Sequence, residues 1–220
     1  MKKTLYFLIV AFSFFLFAKS ANAGPYLSVY AGFTVPHDAN VTNNVTHETG
    51  QMSFHNGLNF GAKAGYWFTD QGAPYLGLQL DANTQNLKIR ELIASTGVVA
   101  PVTSRAGFSS LTANLIYRAV EGDIRPYIGA GAGVFYMNIG SGQKPIQAIG
   151  VGINGWTGGT DTAIGYQVLA GLDFLISKRL SFFGEYKFST AKFSLDRKTW
   201  IPFDITYKVS QVYGGLTYNF

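Results

Sequence analysis

The stretch RPYIGAGAGVFYMN, residues 125–138, decides how this chain folds. Its glycines Gly129, Gly131 and Gly133 occupy every second position and resemble, at first sight, a phosphate-binding loop. Such a loop needs a strand, then a glycine turn, then a helix whose amino end faces the anion. Here the residues after the glycines, Val134–Met137, continue the alternation of a strand. The stretch is therefore predicted to be a β-strand with its glycines on one face.

The same two-residue alternation recurs along the chain and predicts eight strands. They are Tyr26–Val35, Leu58–Phe68, Tyr75–Gln85, Ser110–Arg118, Tyr127–Met137, Gly165–Leu175, Leu180–Ser189 and Thr206–Phe220. Short connections (69–74, 119–126, 177–179) alternate with long ones (roughly 36–56, 90–105, 139–161, 195–204). This arrangement is typical of bacterial outer-membrane proteins. The sequence predicts an all-β fold, an eight-stranded antiparallel up-and-down transmembrane β-barrel with short periplasmic turns and four longer extracellular loops.

Charged side chains fall on the strand face opposite to the apolar one. Three are basic and three are acidic: Lys63, Arg118, Lys187, Asp81, Asp173 and Glu185. If lipid covers the apolar face, the charges point into the lumen, where buried charges must pair. An eight-stranded barrel is just wide enough for side chains to fill. We therefore expect a network of ion pairs and water that plugs the lumen, which argues against a general diffusion channel.

Bulky residues are expected to complete the filling of the lumen. Ile116, Phe135 and Leu169 interrupt the alternation, as a few residues in a narrow interior would. The inward glycines are expected to leave room for large side chains across the lumen, such as Trp67, Tyr75 or Phe183. Near the short turns we predict an inner aromatic girdle, typical of membrane interfaces. Its members are Tyr26, Trp67, Phe68, Tyr75, Tyr117, Tyr127, Phe174 and Tyr218.

The amino terminus has the pattern of an export signal. Two lysines precede an apolar run of 14 residues, Leu5–Ala18, which is too short for a spanning helix, and Ala21-Asn22-Ala23 forms a cleavage site. We interpret 1–23 as a cleaved signal peptide and 24–220 as the barrel; the alternative is an uncleaved anchor. Cleavage lowers the formal net charge from +5 to +2, so a nucleic-acid partner is not expected. With no cysteine in the chain, no disulfide is expected either.

The stretches RPYIGAGAGVFYMN (125–138) and VYGGLTYNF (212–220) resemble the small outer-membrane barrel family, the opacity-protein and OmpX-like group that includes the OmpA transmembrane domain. The resemblance implies an outer-membrane location. It also implies that Leu216, Tyr218 and Phe220 form the terminal-strand signal read by the outer-membrane assembly machinery. Because this fold carries adhesins, anchors and lipid-modifying enzymes, it does not select one activity.

Three functions stay open after the sequence is read. The first is a surface protein with a structural or adhesin-like role, meeting a host or cell-surface ligand. The second is a lipid A-modifying enzyme of the outer leaflet, and the third is a narrow conduit for small or hydrophobic solutes. No catalytic residue is assigned, because serine and histidine are close in sequence only at Ser53 and His55. A lipid A deacylase would place such a pair on a late strand.

Two further groups of residues are candidate binding sites. The outward phase near the long loops places four basic residues by the outer surface, where lipopolysaccharide phosphates lie: Lys88, Arg105, Lys192 and Lys208. The alternative is that they only solubilise the loop bases. The histidines His37, His47 and His55 all fall in the first long loop with carboxylates nearby. This is the ligand set of a divalent metal, although the spacing matches no motif and no cofactor is otherwise expected.

Overall fold

Alternating side chains along the chain produce β-strands in the computed structural model, which describes residues 24–43, 49–69, 72–94, 99–101, 105–139, 159–195 and 203–220. The strands are β1 Pro25–Pro36, β2 Ala39–Asn43, β3 Thr49–Phe54, β4 Gly57–Trp67, β5 Leu76–Ala94, β6 Val99–Pro101, β7 Arg105–Arg118, β8 Ile124–Ile139, β9 Gly159–Leu175, β10 Leu180–Leu195 and β11 Phe203–Asn219. Within these ranges there is no helix that could cross a membrane.

Eight of the strands close into a barrel. Neighbours pair antiparallel in the order β1, β4, β5, β7, β8, β9, β10 and β11. β11 then pairs with β1, from Tyr26 opposite Asn219 to Pro36 opposite Val209, so no edge is left open in the wall. Closure satisfies the backbone groups that lipid could not. The predicted eight-stranded antiparallel barrel is confirmed.

The outer wall carries an apolar band. Its exposed side chains alternate with less exposed ones along the barrel strands, and on β1 and β8 they include Leu27, Val29, Phe33, Ile128 and Val134. Inward positions of the same part of the barrel include polar and charged residues such as Ser28, Lys63, Asp81 and Asn114. This polarity is the reverse of that of a soluble barrel, and it fits a wall surrounded by hydrocarbon.

Above the apolar band the polarity of the wall is inverted. On β5, Lys88 and Arg90 face outward and are exposed, whereas Leu87 and Ile89, which alternate with them, are buried inside the barrel. The strands therefore continue beyond the membrane as a barrel with a polar exterior and an apolar interior. Several regions predicted as loops are strand for this reason, and β5 extends to Ala94. The alternation predicts strands mainly where the outward phase is apolar, so most of these upper segments fall outside the predicted strands.

The first long connection also forms strands. β2 pairs with β11, β3 pairs with β5, and β2 and β3 pair with each other. In the upper barrel β2 and β3 therefore take the places of β1 and β4. The β1–β4 ladder ends at Thr34 opposite Gly57, and the β2–β3 ladder begins at Ala39 opposite Met52. Between these pairs the backbone ladder is interrupted, although the Ser53 hydroxyl donates to Asp38 Oδ1 across the gap. We call this interruption, between 35–38 and 53–56, the wall split.

Glycines that face the lumen leave space for aromatic rings of the neighbouring strand. Tyr30 lies opposite Gly61, and a Cβ at Gly61 would lie 2.2 Å from the Tyr30 Cζ atom. Tyr26 lies over Gly65 in the same way. Tyr127 covers Gly171 on the far side of the barrel. The missing side chains let large rings lie flat against the wall, so a narrow lumen accommodates them.

The prediction that glycines 129, 131 and 133 make room for rings across the lumen is wrong. Gly129 instead accommodates Ile116, and Gly131 accommodates Asn114, both from the adjacent β7. Trp67 covers Gly77 and Phe183 covers Gly215. Tyr75 does not enter the lumen at all, because it follows a turn and faces outward, where its ring contacts Tyr117.

Candidate functional sites in the lumen and on the outer wall

The lumen contains two buried ion pairs. In the first, Lys63 Nζ lies 2.5 Å from Glu185 Oε2, and the two side chains are 3% and 0% exposed. The Tyr127 hydroxyl donates to the same Oε2 atom at 2.7 Å, and the Tyr213 hydroxyl donates to Oε1. The Lys63 ammonium also lies 4.4 Å from the centre of the Phe183 ring. Both charges thus have close partners and almost no exposure to solvent.

The second pair joins Lys187 to Asp81. Lys187 Nζ lies 2.7 Å from Asp81 Oδ2, and both side chains are 1% exposed. The Tyr30 hydroxyl donates to Asp81 Oδ1 at 2.7 Å and accepts from Asn83 Nδ2 at 3.1 Å. The Tyr30 ring stacks on Tyr213 with centroids 4.3 Å apart. Because the Tyr213 hydroxyl donates to Glu185, the two ion pairs belong to one network.

The remaining two predicted charges stand apart, at the periplasmic mouth. Arg118 and Asp173 line a cavity of about 40 Å³ together with Lys63, Tyr26 and Trp67. The Arg118 Cζ atom lies 3.6 Å from the Trp67 ring centre, a cation–π contact. Among the ion pairs of the described residues, none joins Arg118 to Asp173. The structure therefore brings four of the six predicted residues into pairs.

A layer of amides and hydroxyls lies above the ion pairs. Gln211 Nε2 donates to Gln85 Oε1 at 2.9 Å, and the Thr34 hydroxyl donates to the same oxygen at 2.6 Å. Gln167 Nε2 donates to Asn114 Oδ1 at 2.7 Å on the opposite side. No role was predicted for these residues, although most of them occupy the inward phase of predicted strands. Their inward phase was the sequence signal from which a place in the lumen could have been predicted.

An apolar cluster fills the barrel above the polar layer. Its buried members come from seven strands, and the partly buried Phe54 and Ala163 pack against it. They are Ala39, Met52, Leu87, Ile89, Ala106, Phe108, Phe135, Met137, Ile139, Ala191, Phe193, Ile205, Tyr207 and Val209. Phe108 and Tyr207 stack at its centre with ring centroids 4.2 Å apart. The cluster was missed because ten of its fourteen buried members lie outside the predicted strands.

The four predicted basic residues, here called the basic collar, all face outward and are exposed. Lys88 lies directly opposite Arg105 in the β5–β7 ladder, so two like charges are neighbours. Lys192, on the other side of the barrel, forms an ion pair of 2.7 Å with Asp204. Lys208 lies on β11, where its carbonyl accepts from the His37 backbone N–H at 3.0 Å. The collar is therefore neutralised unevenly around the barrel.

The structure does not bring the histidines predicted as metal ligands together. His37 and His55 are exposed on opposite sides of the wall split, where their backbone N–H groups donate to β11 and β5 respectively. His47 lies outside the described residues. Within the ranges that the structure describes, no group of three or more histidine or carboxylate side chains could hold a metal ion.

The aromatic girdle is only partly where it was predicted. Tyr26 and Trp67 are buried in the lumen, and Tyr127 is turned inward to Glu185, so these three predictions are wrong. Residues near a short turn can face either side of the wall, and their phase decides which. Tyr75, Tyr117 and Tyr218 do face outward, and so do Leu216 and Phe220 of the terminal strand. Phe68 and Phe174 are half-buried beside outward rings.

A closed barrel with an apolar outer wall and a polar interior fits a family of known proteins. The sequence matches the outer membrane protein β-barrel domain over residues 7–220. The chain belongs to this outer-membrane β-barrel family. Its members are located in the outer membrane, and the apolar band of this barrel is the surface that lipid covers there.

Solved structures show the same fold at low sequence identity. The outer membrane protein OprG from Pseudomonas aeruginosa is 13% identical, with 90% of this chain and 96% of OprG covered and a TM-score of 0.55. The outer membrane protein AlkL, solved in lipid bilayers, is 16% identical, with 92% and 94% covered and a TM-score of 0.54. No curated protein sequence matches the chain significantly. These likenesses establish the architecture of the barrel alone.

Proposed function

We propose that this outer-membrane barrel is a surface protein with a structural or interaction role, and that polar and charged side chains plug its lumen. The observation that carries the proposal is the pair of linked ion pairs, Lys63–Glu185 and Lys187–Asp81, with all four side chains at most 3% exposed. A conducting path would need water at these charges. With the lumen closed, the surfaces available for function are the outer wall and the loops.

The apolar cluster supports a second closure above the first. Phe108, Phe193 and Tyr207 are buried at the level where the barrel leaves the membrane. A dry apolar layer is a barrier to ions even where the polar layer below holds water. The barrel also rises beyond the membrane with a polar exterior, which raises the upper ends of its strands above the lipid surface. This arrangement suits presentation of an adhesin-like surface.

Lipopolysaccharide is the lipid partner that the basic collar favours. Lys88 and Arg105 are like charges in directly opposed positions, which is unfavourable unless an anion binds between them. A lipid phosphate at the outer surface would accept hydrogen bonds from both. Because Lys192 already has Asp204 as its partner, we place the phosphate contact on the β5–β7 side.

Conductance of the purified protein in planar lipid bilayers tests the closed lumen. The wild type is expected to give no discrete current steps. Lys63→Ala and Glu185→Ala are also expected to stay silent, because the apolar cluster still blocks the path. Discrete steps in the wild type that either substitution alters would contradict the plug and favour the narrow conduit.

Adherence of whole cells tests the interaction role. Cells that produce the protein are compared with cells that produce a variant in which residues 140–158 are replaced by a short Gly-Ser linker. The variant is expected to reach the outer membrane equally and to adhere less to host-cell surfaces. Equal adherence of the two strains, and of a strain without the protein, would remove the adhesin-like role and leave the structural one.

A further inference from the structure

A serine and a histidine meet on the outer wall of the barrel. His37 Nε2 lies 2.9 Å from the Ser210 hydroxyl oxygen, although 173 positions separate them in the chain. Barrel closure brings them together, since Pro36 pairs with Val209 and the His37 N–H donates to the Lys208 carbonyl. The linear sequence gives no sign of this pair, which joins the first connection to the last strand.

The surroundings hold both side chains in place. The Tyr186 hydroxyl lies 2.9 Å from the Ser210 oxygen, and the His37 ring packs edge-on against Phe188 with centroids 5.9 Å apart. With its proton on Nδ1, the imidazole accepts the serine hydrogen at Nε2 while Tyr186 donates to the serine oxygen. A hydrogen bond between a nucleophile and a base is the arrangement that activates a serine. Asp38, next to His37, is not part of it, because its carboxylate accepts from Ser53 at 2.8 Å.

The pair lies at the upper edge of the apolar band. Ser210 has Val35 and Phe188 as its direct neighbours on the adjoining strands, and Val212 is the next outward residue below it. Val35 and Val212 are well exposed to the lipid. The next outward residue above is Lys208 of the basic collar. Ser210 is therefore at the boundary between hydrocarbon and headgroups, which is the depth of the ester bonds of outer-leaflet lipids.

We propose that Ser210 and His37 form a catalytic dyad that hydrolyses ester-linked acyl chains of outer-leaflet lipids. The Ser210 oxygen attacks the ester carbonyl carbon as its proton passes to His37 Nε2. The carbonyl π electrons move onto oxygen and return as the ester C–O bond breaks, and His37 gives its proton to the departing alkoxide. Water then attacks the acyl-serine with His37 as base, releasing the fatty acid and restoring the serine.

Two neighbours assist the reaction. Tyr186 lies close enough to the serine oxygen for its hydroxyl to donate to the carbonyl oxygen as negative charge develops there. Lys208 lies one outward step above and would bind a phosphate of the same lipid. The activity requires no path through the lumen, so it is independent of the plug and of the adhesin-like role.

Fatty-acid release by the purified full-length protein in mixed micelles tests the dyad. One arm contains a diacyl glycerophospholipid and the other contains lipid A, so the mass of the released acid and of the remaining lipid identifies the substrate. We expect release in one arm, lowered ~10²–10⁴-fold by His37→Ala, which is the usual contribution of a general base. Ser210→Ala should abolish it, and Tyr186→Phe should lower it by a smaller factor.

Matched variants separate catalysis from structure. Ser109→Ala changes an exposed outward serine one step above the apolar band on β7, and His55→Ala changes the histidine on the other side of the wall split. Both should retain full release. A fluorophosphonate probe should label Ser210 of the wild type. This test does not depend on whether any variant folds. Absence of release from both lipids overturns the proposal, and so does release that survives Ser210→Ala in a folded barrel.

Discussion

Lys187 and Asp81 form an ion pair across the lumen, with 2.7 Å between Nζ and Oδ2, in a place where water has almost no access. Their strands, β10 and β5, are not neighbours in the wall. The pair therefore links opposite sides of the barrel through its interior. The Tyr30 hydroxyl donates to the same carboxylate and its ring stacks on Tyr213, so the link continues to the Lys63–Glu185 pair. The lumen is organised as one unit and not as independent contacts.

Removal of one partner of this pair should destabilise the barrel strongly. Lys187→Met leaves Asp81 buried without its cation, and a loss of about 3–5 kcal/mol in the free energy of unfolding is expected. Urea unfolding of the detergent-refolded protein, followed by tryptophan fluorescence, measures it. Lys192→Ala, which removes an exposed ion pair, should cost at most about 1 kcal/mol and provides the control. Equal losses for the two variants would contradict the interior network.

Adding a single methyl group inside the barrel should also lower the free energy of unfolding where an aromatic ring already occupies the space. Gly61→Ala would place Cβ against Tyr30 and against the Ala82 carbonyl at 2.6 Å. We expect a loss of about 1–3 kcal/mol in unfolding free energy, as for other overpacked cores. Gly184→Ala is the matched control, because nothing lies within 4 Å of a Cβ there. Its unfolding free energy should change by less than about 0.5 kcal/mol.

Charge reversal on the β5–β7 side of the basic collar should release lipopolysaccharide. Arg105→Glu turns the opposed Lys88–Arg105 positions into an ion pair and removes the anion site. The amount of lipopolysaccharide that co-purifies with the barrel should fall about tenfold, which corresponds to about 1.4 kcal/mol. Native mass spectrometry counts the bound molecules. Lys192→Ala should have a smaller effect, since its charge is already paired; a larger effect than that of Arg105→Glu would refute this location.

The terminal residue should matter for assembly in cells and not for folding in a detergent. Phe220 faces outward and does not enter the lumen. Phe220→Ala should therefore reduce the amount of folded barrel in the outer membrane, while refolding in micelles, followed by heat-modifiable mobility on gels, stays unchanged. Ile176→Ala, another exposed apolar change near the periplasmic end, controls for lost lipid contact. A parallel defect of Phe220→Ala in both assays would contradict an assembly signal.

The wall of the barrel could be predicted from the sequence because its signal is local. Leu27, Val29 and Phe33 alternate with polar residues within one strand, and lipid imposes that pattern on each membrane-spanning strand. The upper barrel could not be predicted in the same way. There water replaces lipid outside, and the apolar phase moves inward to residues such as Leu87 and Ile89. A prediction based on outward-facing apolar residues therefore stops at the level where the apolar residues turn inward.

The interior of the barrel depends on register, which the sequence alone does not provide. Tyr26 belongs to the inward phase of its own strand, yet its place in the lumen also requires Gly65 directly opposite. The Ser210–His37 contact depends on the same kind of information, because it forms only when the last strand pairs with the first. Charges could be assigned to the lumen from their phase, but their partners could not.

The inversion of polarity along the wall fixes the depth of the protein in its membrane. A shift of two residues along a strand is roughly 7 Å, and it would carry Lys88 and Arg105 toward hydrocarbon or lift Val35 and Val212 into water. Basic residues near the midplane of a bilayer cost about 2–4 kcal/mol each. The barrel therefore resists vertical displacement, and mismatch must be absorbed by the lipids around it. A patch of outer membrane crowded with this protein should take on the thickness that its apolar band dictates.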